Sequence, residues 1–396
     1  MAPLLALLVI GFGWVGHACI WTALLNNLYG RPLNKGLLRL WRMATAFILL
    51  LYPVMIWSAW TPEVHSPSGG ESGRGVWFYT VLIYAQICFL LGAVGFPIIT
   101  LARLLRTRPL CLIAEETRTM DLWPVLGKKL IGDHKLAALT RLPGNGVFQI
   151  DITDLTLSLT EMPAAWNGLT LLVLSDMHFH GTPSRVFFDR LLEELQSGPS
   201  ADLVCLIGDY IDSDTHFDWI EPILGRLAAR EAKLAILGNH DLLHHPEQIR
   251  AELTRAGYRV LGNSWMEFTI RGVPCVAVGH EGPWFLPAPD LAAAPKKSFR
   301  LCLSHTPDNF YWACANRVQL MLCGHVHGGA IRVPLIGSIF VPSVFGRRFD
   351  AGLFEHQGTT MVVGRGLSGK EPLRFRCNPQ VIRITLRHNH DLESGS

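Results

Sequence analysis

The front of this chain limits its fold more than any other feature. Residues 3–25 (PLLALLVIGFGWVGHACIWTALL) carry no formal charge, and His17 is the only side chain there that could take up a proton. Residues 44–60 (ATAFILLLYPVMIWSAW) and 76–102 (VWFYTVLIYAQICFLLGAVGFPIITLA) are of the same kind. A helix that crosses a bilayer needs about 20 apolar residues, which the first and third runs exceed. The second is shorter, but Leu38 and Leu40 extend it, and Trp41, Trp57 and Trp60 suit its interfaces. Long uncharged runs are rare in water-soluble bundles. A cleaved secretion signal fits poorly, because no Lys or Arg precedes the first run. We expect an N-terminal transmembrane region of about three helices over residues 1–104.

The charges between the runs give a direction. Arg31, Lys35, Arg39 and Arg42 lie between the first two, and Arg103, Arg106 and Arg108 follow the third. The remaining loop has only Arg74, with Glu63 and Glu71. Positive loops stay in the cytoplasm. The N-terminus is then outside and everything after the third span is cytoplasmic, at the inner membrane if the cell is bacterial. Nine cysteines occur without a CxxC pair. Their odd number and apolar settings suit buried free thiols in a reducing compartment rather than a disulfide framework or a zinc ribbon. The net charge of +3 indicates no nucleic-acid partner.

Residues 105–146 read as a juxtamembrane connector closed by the turn signal LPGNG. A short interfacial or linker helix over 124–139 fits there, with Lys128, Lys129 and Lys135 beside Leu130, Ile131, Leu136 and Leu139. From residue 147 the texture changes. VFQIDITDLTLSL alternates apolar and polar residues. LTLLVLS (169–175), DLVCLIG (202–208) and KLAILGN (233–239) are short apolar runs separated by helical patterns such as SRVFFDRLLEELQS. That alternation predicts parallel strands with crossover helices. Further on, SWMEFTIRG and VPCVAVGH suit a hairpin around Gly272, and FRLCLSH, VQLMLCGH and VIRITL add strands. The expected fold is α/β, two mixed sheets packed face to face with helices outside, over residues 147–388. Residues 389–396 read as a flexible tail.

Five apolar runs end in polar clusters: SDMH (175–178), GDYID (208–212), GNHD (238–241), SHTPD (304–308) and GHVHGG (324–329). Ligands of open α/β sheets bind beyond the carboxyl ends of the strands. Asp, Asn and neutral His offer the oxygen and nitrogen donors that divalent transition metals accept. A single GNHD is more often a capped turn, and an isolated HxH is more often satisfied by backbone. The five together point to a metal centre.

In this order the clusters resemble the calcineurin-like metallophosphoesterase superfamily, whose motifs run DxH, GDxxD, GNHD or GNHE, a further His, and GHxH. LSHTPD, GHVHGGAIRVPLIGSIFVPS and GLSGKEPLRFRCNPQVIRITL resemble its bacterial membrane-associated branch. That branch more usually has GHxHGGQ; Ala330 stands in place of the Gln. The resemblance implies a four-layer αββα sandwich and two divalent cations, Mn, Fe or Zn. It also implies hydrolysis of a phosphodiester or pyrophosphate by metal-activated hydroxide. By motif, Asp176, His178 and His327 would bind one cation and Asn239, His305 and His325 the other, with Asp209 bridging. His240 resembles the family's non-ligand histidine, which stabilises the transition state or protonates the leaving group. Asp212 and Asp241 suit the orienting of imidazoles, or equally the capping of their loops.

Other candidates are His280, with Glu281 beside it, and Arg347 and Arg348, which could read a phosphate or an acidic head group. Trp284, Phe285 and Leu286 could line an apolar groove. His216, His244 and His245 read as surface residues. Strand alternation would place His180 on one face with Asp176 and His178, but no motif gives it a role. The leading expectation is a membrane-anchored dimetal phosphoesterase acting on a lipid-linked phosphate ester. UDP-2,3-diacylglucosamine, substrate of relatives in the wider superfamily, is one example by analogy. A general phosphodiesterase on nucleotides or cell-envelope diesters is the alternative enzyme. A non-catalytic membrane sensor or scaffold is the alternative of another class, and the complete set of ligand positions argues against it.

Overall fold

The computed structural model describes residues 2–60, 71–159 and 161–388. Glu63, the side chains of Trp60, Glu71 and Arg74, and the expected tail 389–396 lie outside the described residues. The chain divides into two compact units, Met1–Thr107 with Pro334–Ile336 and Arg108–Val333 with Gly337–Ser396.

The first unit is built on helices Ala2–Tyr29, Lys35–Trp60 and Glu71–Leu90, the last continuing through a π turn at Leu91–Gly95 into Phe96–Leu104. Gly30 and Pro32 end the first helix, the Gly30 N–H bonding to the Asn26 carbonyl at 3.1 Å. Asn34 starts the second, its Oδ1 accepting the Gly36 N–H at 2.8 Å, as an N-cap does. A Cβ on Gly16 would lie 1.8 Å from the Cys88 carbonyl oxygen, and one on Gly92 1.9 Å from that of Phe12. These two glycines let the first and third helices touch backbone to backbone. Gly16→Leu is therefore expected to lower the thermal midpoint of the detergent-solubilised chain, whereas Leu7→Ala, on an exposed face, leaves it nearly unchanged. His17 is buried at the centre of this packing, bonded to the Tyr84 hydroxyl at 2.7 Å and the Ile48 carbonyl at 3.0 Å. A carbonyl only accepts, so Nε2 carries the hydrogen and Nδ1 accepts from Tyr84.

Outward, the helices are apolar. Leu7, Phe47, Leu50 and Ile98 are each at least 60% exposed, an arrangement that suits lipid rather than water. Three segments, Leu4–Tyr29, Lys35–Ala59 and Val76–Leu104, are long and apolar enough to cross a membrane. This matches the expected three spans.

Among the described residues, the second unit contains fifteen strands. Strands β1–β6 are Leu112–Asp121, Gln149–Leu157, Thr170–Leu174, Ala201–Ile207, Ala229–Ile236 and Arg259–Val260. Strands β7–β10 are Trp265–Ile270, Val273–His280, Phe299–Ser304 and Leu320–Cys323. The short pair β11–β12 is Arg332–Val333 and Gly337–Ser338, and β13–β15 are Gly352–His356, Thr359–Val363 and Gln380–Leu386. One sheet has the order β1-β2-β15-β3-β4-β5-β6 and the other β13-β14-β10-β9-β8-β7. Strands β3, β4 and β5 run parallel, as do β8, β9 and β10. The expected hairpin is β7–β8, turning at Arg271 and Gly272.

Alternation along the strands builds the layers. In β4, Leu203, Cys205 and Ile207 enter a core shared with Leu301, Leu303, Leu320 and Leu322 of the other sheet. Val204 and Leu206 point the other way, onto Phe187, Leu191 and Leu253 of helices Arg185–Gln196 and Pro246–Arg255. A third core backs the second sheet, where Cys302, Met321 and Val363 meet Phe310 and Ala313 of Phe310–Ala315. The result is helices, sheet, sheet, helix: the expected αββα sandwich.

The segment expected as a connector holds strand β1, paired antiparallel with β2. No single helix spans 124–139. Trp123–Leu126 is one helical turn, and Gly127–Leu130 and Ala137–Arg141 are 3₁₀ turns. Gly127 takes φ +50° and ends the first turn, while Leu130 is fully buried and faces the core rather than an interface.

Candidate metal centre

Strand β3 stops at Leu174, and the chain then turns sharply. Asp176, His178, Asp209, His325 and His327 all have φ between 45° and 70°, a region that side chains beyond glycine adopt only under constraint. Asp176, His178 and His180 therefore do not follow strand alternation. Each strand hands its polar cluster to a tight turn that points side chains inward. The glycines of the motifs make room for this. A Cβ on Gly238 would lie 2.2 Å from Asp209 Oδ1, and one on Gly324 2.6 Å from Asp176 Oδ2.

Three groups of potential ligand atoms converge within 4.8 Å: Asp176, His178 and His327; His178, Asp209 and His240; and Asp209, His305 and His325. Asp209 Oδ2 is 3.7 Å from His178 Nε2 and 3.3 Å from His305 Nε2, so this carboxylate lies between two clusters. Asn239 Oδ1 is 3.0 Å from His305 Nε2. All seven expected ligands thus meet at one place.

Hydrogen bonds fix the faces of the rings. Asp212 accepts from His178 Nδ1 at 3.0 Å and the Ile207 carbonyl accepts from His305 Nδ1 at 2.7 Å. Both imidazoles therefore turn Nε2 inward as the nitrogen left to ligate, the usual arrangement of a ligating histidine. Asp212 also accepts from His240 Nδ1, so one carboxylate orients two rings. Asp241 holds main chain instead. Its carboxylate accepts the N–H groups of Asp209, Tyr210 and Gly238, each at 2.8 Å, and locks the GDYID and GNHD turns together. Of the two expected roles, Asp212 takes imidazole orientation and Asp241 loop capping.

Residues 169–329 match the calcineurin-like phosphoesterase family. Over 222 residues the chain is 32% identical to the phosphodiesterase YaeI of Escherichia coli K12, covering 81% of that protein and 54% of this one. The chain is a calcineurin-like phosphoesterase. It is also similar to the metallophosphoesterase YkuE of Bacillus subtilis, 28% identical over 66% of this chain and 96% of that protein. A zebrafish (Danio rerio) transmembrane protein with a metallophosphoesterase domain is 26% identical over 60% of this chain and 57% of that protein. Membership of this family makes the chain a metal-dependent phosphoester hydrolase.

The residues of this phosphoesterase fit divalent cations. His178 Nε2 and His327 Nε2 stand 3.3 Å apart, and His325 Nε2 is buried with no hydrogen-bond partner. Burial works against a proton on His178, yet Asp212, Asp209 and Asp176 outweigh it and raise its pKa to about 9. Burial is likewise overcome at His305, where Asp209 raises the pKa to about 9. The carboxylates call for positive charge, and His178 and His305 turn their Nε2 atoms inward, where a cation could share it.

Sequence reasoning did not single out Arg374. It is 2% exposed and donates to the carbonyls of His327 at 3.0 Å and Arg365 at 2.7 Å, and to that of Ser368. Its Nη2 lies 3.2 Å from His327 Nδ1. A guanidinium only donates, so in this arrangement His327 carries its hydrogen on Nε2, and that nitrogen ligates only when the hydrogen moves to Nδ1 and the Arg374 contact gives way. Glu281 anchors the GNHD turn, accepting the Leu237 N–H at 2.7 Å and a bidentate pair from Arg250 at 3.0 and 2.6 Å. Trp284 packs on His325 and His305 with ring centroids 4.6 and 5.6 Å apart.

The remaining candidates stand apart from the three groups. His280 is buried and bonded to the Gly282 N–H and Asn309, and burial lowers its pKa to about 4. Arg348 lies over the rings of Tyr311 and Phe349, with Arg347 in the same Gly346–Phe349 turn. His180 bonds the Gly369 carbonyl at 2.8 Å and stacks on His134 at 4.3 Å. His216 packs on Trp219, and His244 bonds Asp214.

Proposed function

We propose that this chain is a membrane-anchored phosphodiesterase whose catalytic unit faces the cytoplasm and acts on a phosphodiester or pyrophosphate carried by a lipid. The convergence of Asp176, His178, Asp209, Asn239, His305, His325 and His327 carries this reading. Asp176, His178 and His327 would hold one divalent cation and Asn239, His305 and His325 the second, with Asp209 shared. Such a pair supplies Lewis acidity toward phosphoryl oxygens and a hydroxide nucleophile at neutral pH. The chain's own part is to orient and to move a proton. Asp212 pins the Nδ1 hydrogen of His240, leaving Nε2 to meet a leaving oxygen. His240 is 17% exposed at its side chain, open enough to reach substrate.

Three apolar helices and the similarity to a transmembrane metallophosphoesterase support the anchor. The clustered Arg and Lys residues at 31–42 and 103–108 support the orientation. An enzyme fixed in the bilayer meets lipid-borne esters, of which UDP-2,3-diacylglucosamine is one. The second reading, a general phosphodiesterase on soluble diesters, is favoured by the similarity to a protein named as a phosphodiesterase.

The test is a substrate panel with purified full-length protein across Mn²⁺, Fe²⁺ and Zn²⁺. Chelator-treated protein should hydrolyse nothing, and Mn²⁺ should restore turnover. Release of UMP from the lipid substrate supports the lipid reading. Turnover of bis(p-nitrophenyl) phosphate alone supports the general one, and no turnover with any metal overturns both.

A further inference from the structure

A set of exposed apolar side chains on segments beside the metal centre belongs to none of the three cores. Val125 is 76% exposed, Leu142 48%, Trp123 44%, Ile331 43%, Ile339 43% and Phe375 38%. Their backbones are knitted together. Phe375 bridges Asn145 on one side and Ile331 on the other. A Cβ on Gly144 would meet the Phe375 ring at 2.8 Å, and Asn145 donates its N–H to the Leu142 carbonyl. Trp123 stacks on Phe148 at 5.7 Å, two residues after Gly146, whose N–H bonds the Arg374 carbonyl at 2.7 Å. Single exposed apolar side chains are ordinary, but a connected set marks an interaction site.

The same backbone serves the metal centre and this surface. Ala330 donates its N–H to the His327 carbonyl at 3.0 Å and accepts from the Phe375 N–H at 2.9 Å. Ile331 comes directly after it in the chain. The rim that carries His327 inward therefore carries Ile331 outward.

The bilayer is the occupant that the chain itself brings near. Seven residues, Leu105–Cys111, separate the helix ending at Leu104 from β1, and fully extended they reach only about 25 Å. Trp123 is a residue type that prefers the membrane interface. Lys128, Lys129, Arg141 and Arg376 lie on the flanking segments and suit anionic head groups.

We propose that the surface around Trp123, Val125, Phe375 and Ile331 seats on the bilayer and opens the metal centre, beside His327, toward a phosphoester held in the membrane. The second half of this statement rests on the lipid-substrate reading above, and the first half does not.

The test uses the full chain reconstituted in phosphatidylcholine and phosphatidylglycerol vesicles. An environment-sensitive fluorophore is placed at Val125→Cys, or at Gln357→Cys in the exposed turn between β13 and β14. At position 125 we expect blue-shifted emission, quenching by nitroxide lipids and little quenching by aqueous iodide, and at position 357 the reverse. Equal iodide access at the two positions overturns docking. So does shielding at 125 that disappears as protein is diluted in lipid, since that would mean a second copy. A second arm compares wild type with a Val125→Asp, Ile331→Asp double variant. Hydrolysis of bis(p-nitrophenyl) phosphate in detergent should match wild type, while turnover of a vesicle-embedded lipid pyrophosphate falls about tenfold. Equal turnover of the lipid substrate overturns the access role. If wild type cleaves only the soluble diester, the lipid-substrate reading fails while the fluorophore result still decides docking.

Discussion

Asp209→Asn should lower kcat on any phosphodiester by about a thousandfold, or roughly 4 kcal/mol of transition-state stabilisation, and should cut bound metal from two ions per chain to about one. The cause is geometric. Asp209 Oδ2 is the only carboxylate oxygen facing both His178 and His305 among the described residues. Its other oxygen, Oδ1, accepts the His240 N–H at 2.7 Å, and Asn keeps an acceptor there. The fold should therefore survive, because the Asp241 clamp on the neighbouring N–H groups is untouched. An amide carries no net charge, so the positive charge gathered between the two clusters loses its counter-charge. Metal analysis of the purified variant beside a thermal melt separates the possibilities. A variant that keeps both ions and activity within tenfold of wild type would remove Asp209 from the bridging position.

Much of this centre was readable because each proposed ligand lies within a few residues of the end of an apolar run. Parallel strands buried on both faces leave continuous hydrophobic segments, and LTLLVLS, DLVCLIG and KLAILGN announce β3, β4 and β5 one after another. The residues at their ends could be collected without knowing the sheet order. The turns beyond those ends were less legible. Alternation fails after Leu174 because Asp176 and His178 turn into positive φ, so His180 could not be placed by counting. Strand β1 was hidden for a different reason. It is an edge strand exposed along most of its length, and LIAEETRTMD has no buried face to print a period on the sequence. Arg374 gave no local signal at all. It reaches His327 only because β15 inserts between β2 and β3, bringing the preceding loop under the GHVHGG turn. Arg347, Arg348 and His280 were singled out by residue type and local pattern; the fold sets Arg348 on aromatic rings, with Arg347 in the same turn, and His280 on loop amides.

His240→Ala should lower kcat by about a hundredfold to ten-thousandfold while both metal ions remain bound, and the size of the loss should depend on the leaving group. His240 enters one of the three convergent groups, so composition alone would allow it to be a ligand. Its hydrogen bond argues otherwise. Asp212 accepts from both His178 Nδ1 and His240 Nδ1, and the two rings stand edge to face with centroids 4.6 Å apart. His178 is fully buried and turned inward, whereas His240 retains access to solvent, as a group that exchanges protons with substrate and water must. A histidine that donates a proton matters most when the departing oxygen is a poor leaving group. An alkoxide needs that proton, and p-nitrophenolate departs without it. The loss on a diester with an alkyl leaving group should therefore exceed the loss on bis(p-nitrophenyl) phosphate by at least about tenfold. Equal losses on the two substrates, with metal content unchanged, would assign His240 to stabilising charge on the phosphoryl oxygens instead. A drop in bound metal would make it a ligand. Asp212→Asn offers a check, since its one amide oxygen can accept from His240 Nδ1 or His178 Nδ1 but not from both, and an amide stabilises an imidazolium less well. It should reproduce part of the leaving-group dependence, whereas a purely structural role for Asp212 would slow both substrates alike.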